Sequence, residues 1–169
     1  MLFVAVLVMA CATVDTTDIE VVGKTRPGTD FSNYKTYTWL ESAQIVNDPF
    51  GQWEPPDFDA DSVVKKQVDR ELGKRGMTLA GTDPDLQVFF VAGIDMVDPV
   101  WREDPDRALP TLQNVPKGAL LVVLIDGATR VPVWVGVAGA EIRKQQEPGT
   151  ARKRLEYAII EMFRQFPDK

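Results

Sequence analysis

From Leu86 to Met96 the chain alternates without a break. Leu86, Val88, Phe90, Ala92, Ile94 and Met96 fall on one side of an extended backbone, and Gln87, Phe89, Val91, Gly93 and Asp95 on the other. A period of two is that of a strand, so this segment is expected to commit one face to a core. A helical period precedes it. Val64, Val68 and Leu72 stand four apart, which stacks them on one helix face, with Val63 beside them. Asp59 or Asp61 can cap the free amides of its first turn, and Gly73 and Gly76 close it, Gly76 being the better candidate for a left-handed terminating position. Toward the C-terminus, Leu155, Ala158, Ile159, Met162, Phe163 and Phe166 form a second apolar stripe. It predicts a helix from about Ala151 to Phe166, capped by Thr150 and ended by Pro167.

Four more strands follow from local composition. Ile19 to Lys24 is β-branched and alternating, and the turn residues Arg26 to Asp30 interrupt it. Tyr34 to Leu40, rich in aromatic and β-branched residues, reads as its antiparallel neighbour. Ala119 to Ile125 is continuously apolar and ends at Asp126-Gly127, which predicts a central strand and a hairpin turn. The chain returns over Val131 to Val137, where Pro132 suggests an edge position. Residues 42–59, with Pro49, Gly51, Pro55 and Pro56, read as a long surface loop. A second irregular region, 98–117, carries four prolines and the acidic Glu103, Asp104 and Asp106. The order β-β-α-β-β-β-α contains no repeat. It predicts one α+β domain over residues 19–169: a mostly antiparallel five-stranded sheet with two amphipathic helices on one face.

The N-terminus departs from this pattern. Leu2 to Ala10 is an uncharged apolar run that ends at Cys11, the only cysteine in the chain, and polar residues follow from Thr13. Val8-Met9-Ala10-Cys11 has the form of a bacterial lipoprotein signal, so residues 1–10 are expected to be the signal peptide, Cys11 the lipid attachment site and 11–18 a tether. Nine apolar residues are too few to span a bilayer. No Lys or Arg precedes the run, although secretory signals normally begin with positive charge; a start codon assigned a few residues late would account for this. The competing reading makes residues 2–10 a buried strand or an ordinary signal, and Cys11 a small core residue. Ala12 after the cysteine points to an outer-membrane protein facing the periplasm. Cys11→Ser is expected to abolish membrane association, which fractionation of cells would show.

Composition narrows the chemistry. The 169 residues are 44% hydrophobic and 26% charged, an ordinary globular balance. A net charge of −6 and a pI near 4.7 disfavour attraction to nucleic acid. Arg143, Lys144, Arg152, Lys153 and Arg154 gather around a helix start and read as a solvated face. There is no histidine, which removes Ser-His triads, imidazole bases and most zinc and copper sites. Neither Gly-x-x-x-x-Gly-Lys nor Gly-x-Gly-x-x-Gly occurs. No cofactor is expected. Ser62 and Lys65 have Ser-x-x-Lys spacing, and Asp57, Asp59 and Asp61 resemble the opening of a calcium loop, but Ser62 and Val68 stand where that loop needs Gly and Glu. Helix capping is the simpler role for these aspartates. Trp101, Arg102 and Asp104 suit a partner contact or a pocket rim, against the alternative that Trp101 packs its loop onto the sheet. Tyr37, Trp39 and Trp134 are expected in the sheet, where they would form an exposed binding patch if the face opposite the helices is uncovered.

Phe31-Ser-Asn-Tyr34-Lys-Thr-Tyr37-Thr-Trp39, Asp83-Pro-Asp85-Leu86, Leu124-Ile-Asp126 and Val133-Trp134-Val-Gly136-Val-Ala138, in this order, resemble the bacterial lipoprotein family known as domain of unknown function 4136. The resemblance covers nearly the whole chain after Cys11. It implies a lipid-anchored or secreted envelope protein, in agreement with the reading of Cys11, and implies no catalytic residue. The expected function is therefore a non-catalytic envelope protein that binds another protein or an envelope component. The alternatives are a small-molecule or lipid carrier with a pocket between sheet and helices, and a carboxylate-dependent hydrolase, which would need two facing carboxylates with one pKa raised.

Overall fold

Alternation and helical stripe both become structure in the computed structural model, which describes residues 14–96, 99–103, 110–143 and 149–167, with 99–103 and 110–114 described by their backbone. In chain order the elements are β1 (Glu20–Thr25), β2 (Thr36–Trp39), β3 (Ala43–Asn47), α1 (Ala60–Lys74), β4 (Thr78–Leu79), β5 (Leu86–Asp95), β6 (Pro99–Glu103), β7 (Pro110–Asn114), β8 (Lys117–Asp126), β9 (Pro132–Glu141) and α2 (Thr150–Arg164). Seven strands form one sheet in the order β1-β9-β8-β5-β2-β4, and β3 pairs with β5 beyond β2. β6 and β7 form a separate antiparallel pair.

The α+β class holds, but the expected five-stranded, mostly antiparallel sheet is corrected to a mixed sheet of seven. β1, β9, β8 and β5 are antiparallel neighbours, whereas β2 and β3 both run parallel to β5. The crossover through α1 requires this direction, because a strand that returns after a helix can lie parallel to the one before it. Tyr34 to Leu40 therefore does not pair with the first strand; β1 pairs with β9. Pro132 is not on an edge strand, since β9 lies between β1 and β8. It is tolerated as the first residue of β9, ahead of the Thr25–Trp134 pair where β1 begins its contact. Part of the expected 42–59 loop is β3, and the expected irregular region 98–117 contains the β6–β7 hairpin.

One sheet face carries the core. Leu86, Val88 and Phe90 of β5, Leu120, Val122 and Leu124 of β8, and Trp134 and Ala138 of β9 are buried against Val64, Val68 and Leu72 of α1 and Ile159, Met162 and Phe163 of α2. Both helices thus lie on one face, as the two stripes predict. Asp59 caps α1 by accepting from the Ser62 amide at 3.1 Å, and Gly76, with φ of 72°, terminates it. The expected Thr150 cap is corrected: Gly149, at φ 77°, occupies the N-cap of α2 and gives it no side-chain bond. The helices meet near their C-terminal ends, where the Arg75 guanidinium donates to the Phe163 carbonyl and lies over the rings of Phe163 and Phe166.

The other face carries an apolar row across five strands, Ala43, Val91, Leu121, Val137 and Val22, each paired with the next. Val137 and Val22 are 40% and 49% exposed, and no helix of the described residues covers this face. At the outer edge of the sheet, Gln165 accepts from the Gly23 amide at 2.7 Å and donates to the Val21 carbonyl at 3.1 Å. Gly23 is needed there, because a Cβ on it would stand 2.8 Å from Cβ of Gln165.

Candidate functional site

Where β5 ends and β8 begins, the core-facing residues shrink. Ala92 pairs beside Leu120, Ile94 beside Gly118, Leu120 beside Ala138 and Gly118 beside Ala140. Glycine and alanine at one end of three neighbouring long strands leave room that the N-terminal halves of α1 and α2 do not fill. The result is an open cleft of about 770 Å³ between sheet and helices, a size within the roughly 300–1,000 Å³ usual for small-molecule sites. Val64 of α1 and Leu155 and Ala158 of α2 form its roof, while Trp53 and Phe58, from the segment that leads into α1, form one wall.

Two of the charged residues that line the cleft, Arg143 and Arg154, are paired with aspartates of the segment that precedes β1. Arg154 is only 5% exposed and grips Asp18 with two hydrogen bonds, of 2.6 and 2.9 Å. The Arg143 guanidinium bonds Asp18 at 2.7 Å and Asp15 at 2.8 Å. The hydrogen bonds from Arg154 hold the Asp18 carboxyl below the usual carboxylate range, against the opposing effect of its burial. Asp15 and Asp18 lie within the expected 11–18 tether and are bonded to the domain. Arg143 and Arg154 were expected on a solvated face; their aspartate partners lie more than a hundred positions away, so no local pattern announces them.

The aromatic candidates are placed elsewhere. Tyr37 and Trp134 are 3% and 1% exposed and belong to the core under the helices, so with Trp39 they do not form an exposed patch on the opposite face. The Tyr37 hydroxyl and the Trp39 indole N–H both donate to Asp69 of α1, at 2.7 and 2.9 Å, which ties β2 to the helix. Burial, then this bond, pushes the Tyr37 hydroxyl well above its ordinary value. Trp101 and Arg102 lie on β6, described by its backbone, and Asp104 and Cys11 lie outside the described residues.

A second, polar hollow lies at the opposite end of β5 and β8, beside Tyr34, Asp83, Asp85 and Asp126. Asp85 accepts from the Lys35 and Thr36 amides at 2.8 Å each, which keeps its carboxyl low. Asp126 is held low by the Thr129 amide and then by the Tyr34 hydroxyl, the latter at 2.8 Å. Burial and the same bond push Tyr34 up to about 12. These carboxylates serve turns and strand starts. Ser62 likewise bonds Asp59 at 2.6 Å while Lys65 pairs with Asp61 at 2.7 Å, so the Ser-x-x-Lys spacing makes no serine-lysine pair. Among the described residues no group of His, Cys, Asp and Glu could hold a metal ion, and no helix is long and apolar enough to cross a membrane.

Fold and cleft together define a small α+β domain with a mixed sheet, two helices on one face and a ligand-sized apolar opening between the layers. The chain belongs to the family described as Domain of unknown function (DUF4136), which matches residues 21–168. A DUF4136 family protein from Bacteroides thetaiotaomicron shares the fold with a TM-score of 0.59 at 10% identity, over 88% of this chain and 95% of that one. A PDZ domain protein from Parabacteroides distasonis aligns with a TM-score of 0.51 at 15% identity, over 91% of this chain but only 38% of its own. PelC from Paraburkholderia phytofirmans, solved as a dodecamer, aligns with a TM-score of 0.50 at 11% identity, over 85% and 95%. At these identities the likeness is one of fold. No protein of curated function matches the sequence.

Proposed function

We propose that this is a lipid-anchored, non-catalytic cell-envelope protein, facing the periplasm from the outer membrane, whose cleft between sheet and helices binds an apolar molecule. The observation that carries this reading is the cleft of about 770 Å³, lined by Phe90, Leu120, Val64 and Leu155 above a floor of small residues. It belongs to the carrier form of the function, in which an envelope component is held inside the domain. Asp18, Asp85 and Asp126 are held low, so these three do not offer the raised pKa that a general acid needs.

The protein-binding form is favoured by a different observation, the apolar row from Ala43 to Val22 on the sheet face that no helix of the described residues covers. Contiguous exposed apolar surface of this kind commonly marks an interaction site.

Native mass spectrometry of the Cys11→Ser protein, purified gently from its own cells and unable to fill the cleft with an acyl chain of its own, tests the cleft reading. An apolar ligand retained at near-equal molar amount is expected. A ligand-free protein that also fails to take up a fluorescent fatty acid would overturn it. The anchor is tested separately by Cys11→Ser, which is expected to move the protein out of the membrane fraction; unchanged membrane association would sink it.

A further inference from the structure

We infer that the occupant of the cleft is an acyl chain carried on the protein's own Cys11. This deepens the cleft reading and rests on the acylation of Cys11 proposed above. Three observations converge. Asp15 and Asp18 are fastened at the cleft mouth by Arg143 and Arg154, both of which line the cleft, and Ile19 lines it as well. The chain that leads back to Cys11 therefore starts at the opening rather than at a remote point of the domain. Cys11 is four positions from Asp15, a reach of at most about 14 Å in extended chain, so a lipid on its sulfur starts within that distance of Asp15.

The chemistry of the lining fits the same occupant. Val64, Phe90, Leu120 and Leu155 line the cleft and its floor lacks side-chain bulk, which suits an unbranched hydrocarbon that needs length more than hydrogen bonds. The two arginines of the lining are already satisfied by the segment that leads to Cys11, Arg154 by Asp18 and Arg143 by Asp15 and Asp18. The mouth thus holds the peptide that bears the lipid. A chain held inside is withdrawn from the bilayer, so the cleft sets how firmly the protein is anchored.

The test uses the full-length protein in its own cells, fed a fatty acid that carries a photoreactive diazirine. After irradiation, the protein is digested and its cross-linked peptides are read by mass spectrometry. The expected product joins the Cys11 acyl group to peptides that contain Ala138 to Ala140 or Leu155 to Ala158. Ala140→Trp, which fills the cleft from a half-buried floor position, is expected to lose that product while its circular dichroism stays as in the wild type; the wild-type cross-link stands by itself if this variant misfolds. An intact mass without acyl on Cys11 overturns the inference together with the anchor. Acylated Cys11 cross-linked only to membrane lipid overturns the inference and leaves the cleft reading in place. Cross-links from unattached fatty acid to the same cleft peptides also overturn it, and identify an external acyl ligand instead.

Discussion

Gly127 shows how little freedom a single position can have. It follows Asp126 in the turn between β8 and β9, its amide donates to the Asp85 carbonyl at 2.8 Å, and a Cβ there would lie 2.0 Å from the Pro84 carbonyl oxygen. Gly127→Ala must push two backbone segments apart. A loss of about 1–3 kcal/mol is expected, typical of forced overpacking, and urea unfolding would measure it; unchanged stability would mean that the turn and the Pro84 segment are not packed this way. The Tyr34–Asp126 bond joins two of the stretches resembling the family, and the Asp85–Gly127 bond joins a third to the residue that follows Asp126. Those stretches were legible as a pattern, yet their role, fastening the start of β5 to the β8–β9 turn, needed coordinates. The Asp18–Arg154 pair was not legible at all, because the partners are separated by 136 positions.

At the scale of elements, legibility follows burial. α1 could be read because Val64, Val68 and Leu72 keep helical spacing between an aspartate cap and Gly76, and β5 because its alternation is unbroken. β3 could not, since all five of its residues are exposed and neither periodicity nor a core face marks them. The cleft, expected only as an alternative pocket between sheet and helices, could not be assigned to residues for a related reason. Ala92, Gly118, Ala138 and Ala140 are each weak strand residues, and only the register that gathers them at one end makes a cavity. Small residues recurring near one end of three long strands are the signal that could have found it. For the helix end, Gly76→Ala forces an L-residue into the left-handed region, which costs about 1–2 kcal/mol. The expected lower melting temperature is checked by calorimetry, and the parallel β2–β4 pair just after the turn should lose amide protection first.

For the whole molecule, acid is the expected route to unfolding. Asp18, Asp85 and Asp126 are all held below the ordinary aspartate value of about 3.9. Groups lowered in the folded state contribute stability that is fully present above the unfolded value and is lost as pH falls toward the folded one. The melting temperature should therefore be insensitive to these groups above about pH 5 and should decline below about pH 4. Calorimetry across that range is the check, and a flat profile to about pH 2 would contradict the depressed values.

The chain's first and last elements depend on each other. β1 pairs with β9, and its other side is closed by Gln165, whose bond to Gly23 spans 142 positions. Until β9 is made β1 lacks its sheet neighbour, and until Gln165 arrives its other side lacks this bond. Native closure is thus a late event in the life of the polypeptide, set by topology and slow because the contacts are distant in sequence. The export proposed above would gain from this delay, because β1 has neither β9 nor Gln165 to lock onto until the distant end of the chain has followed it.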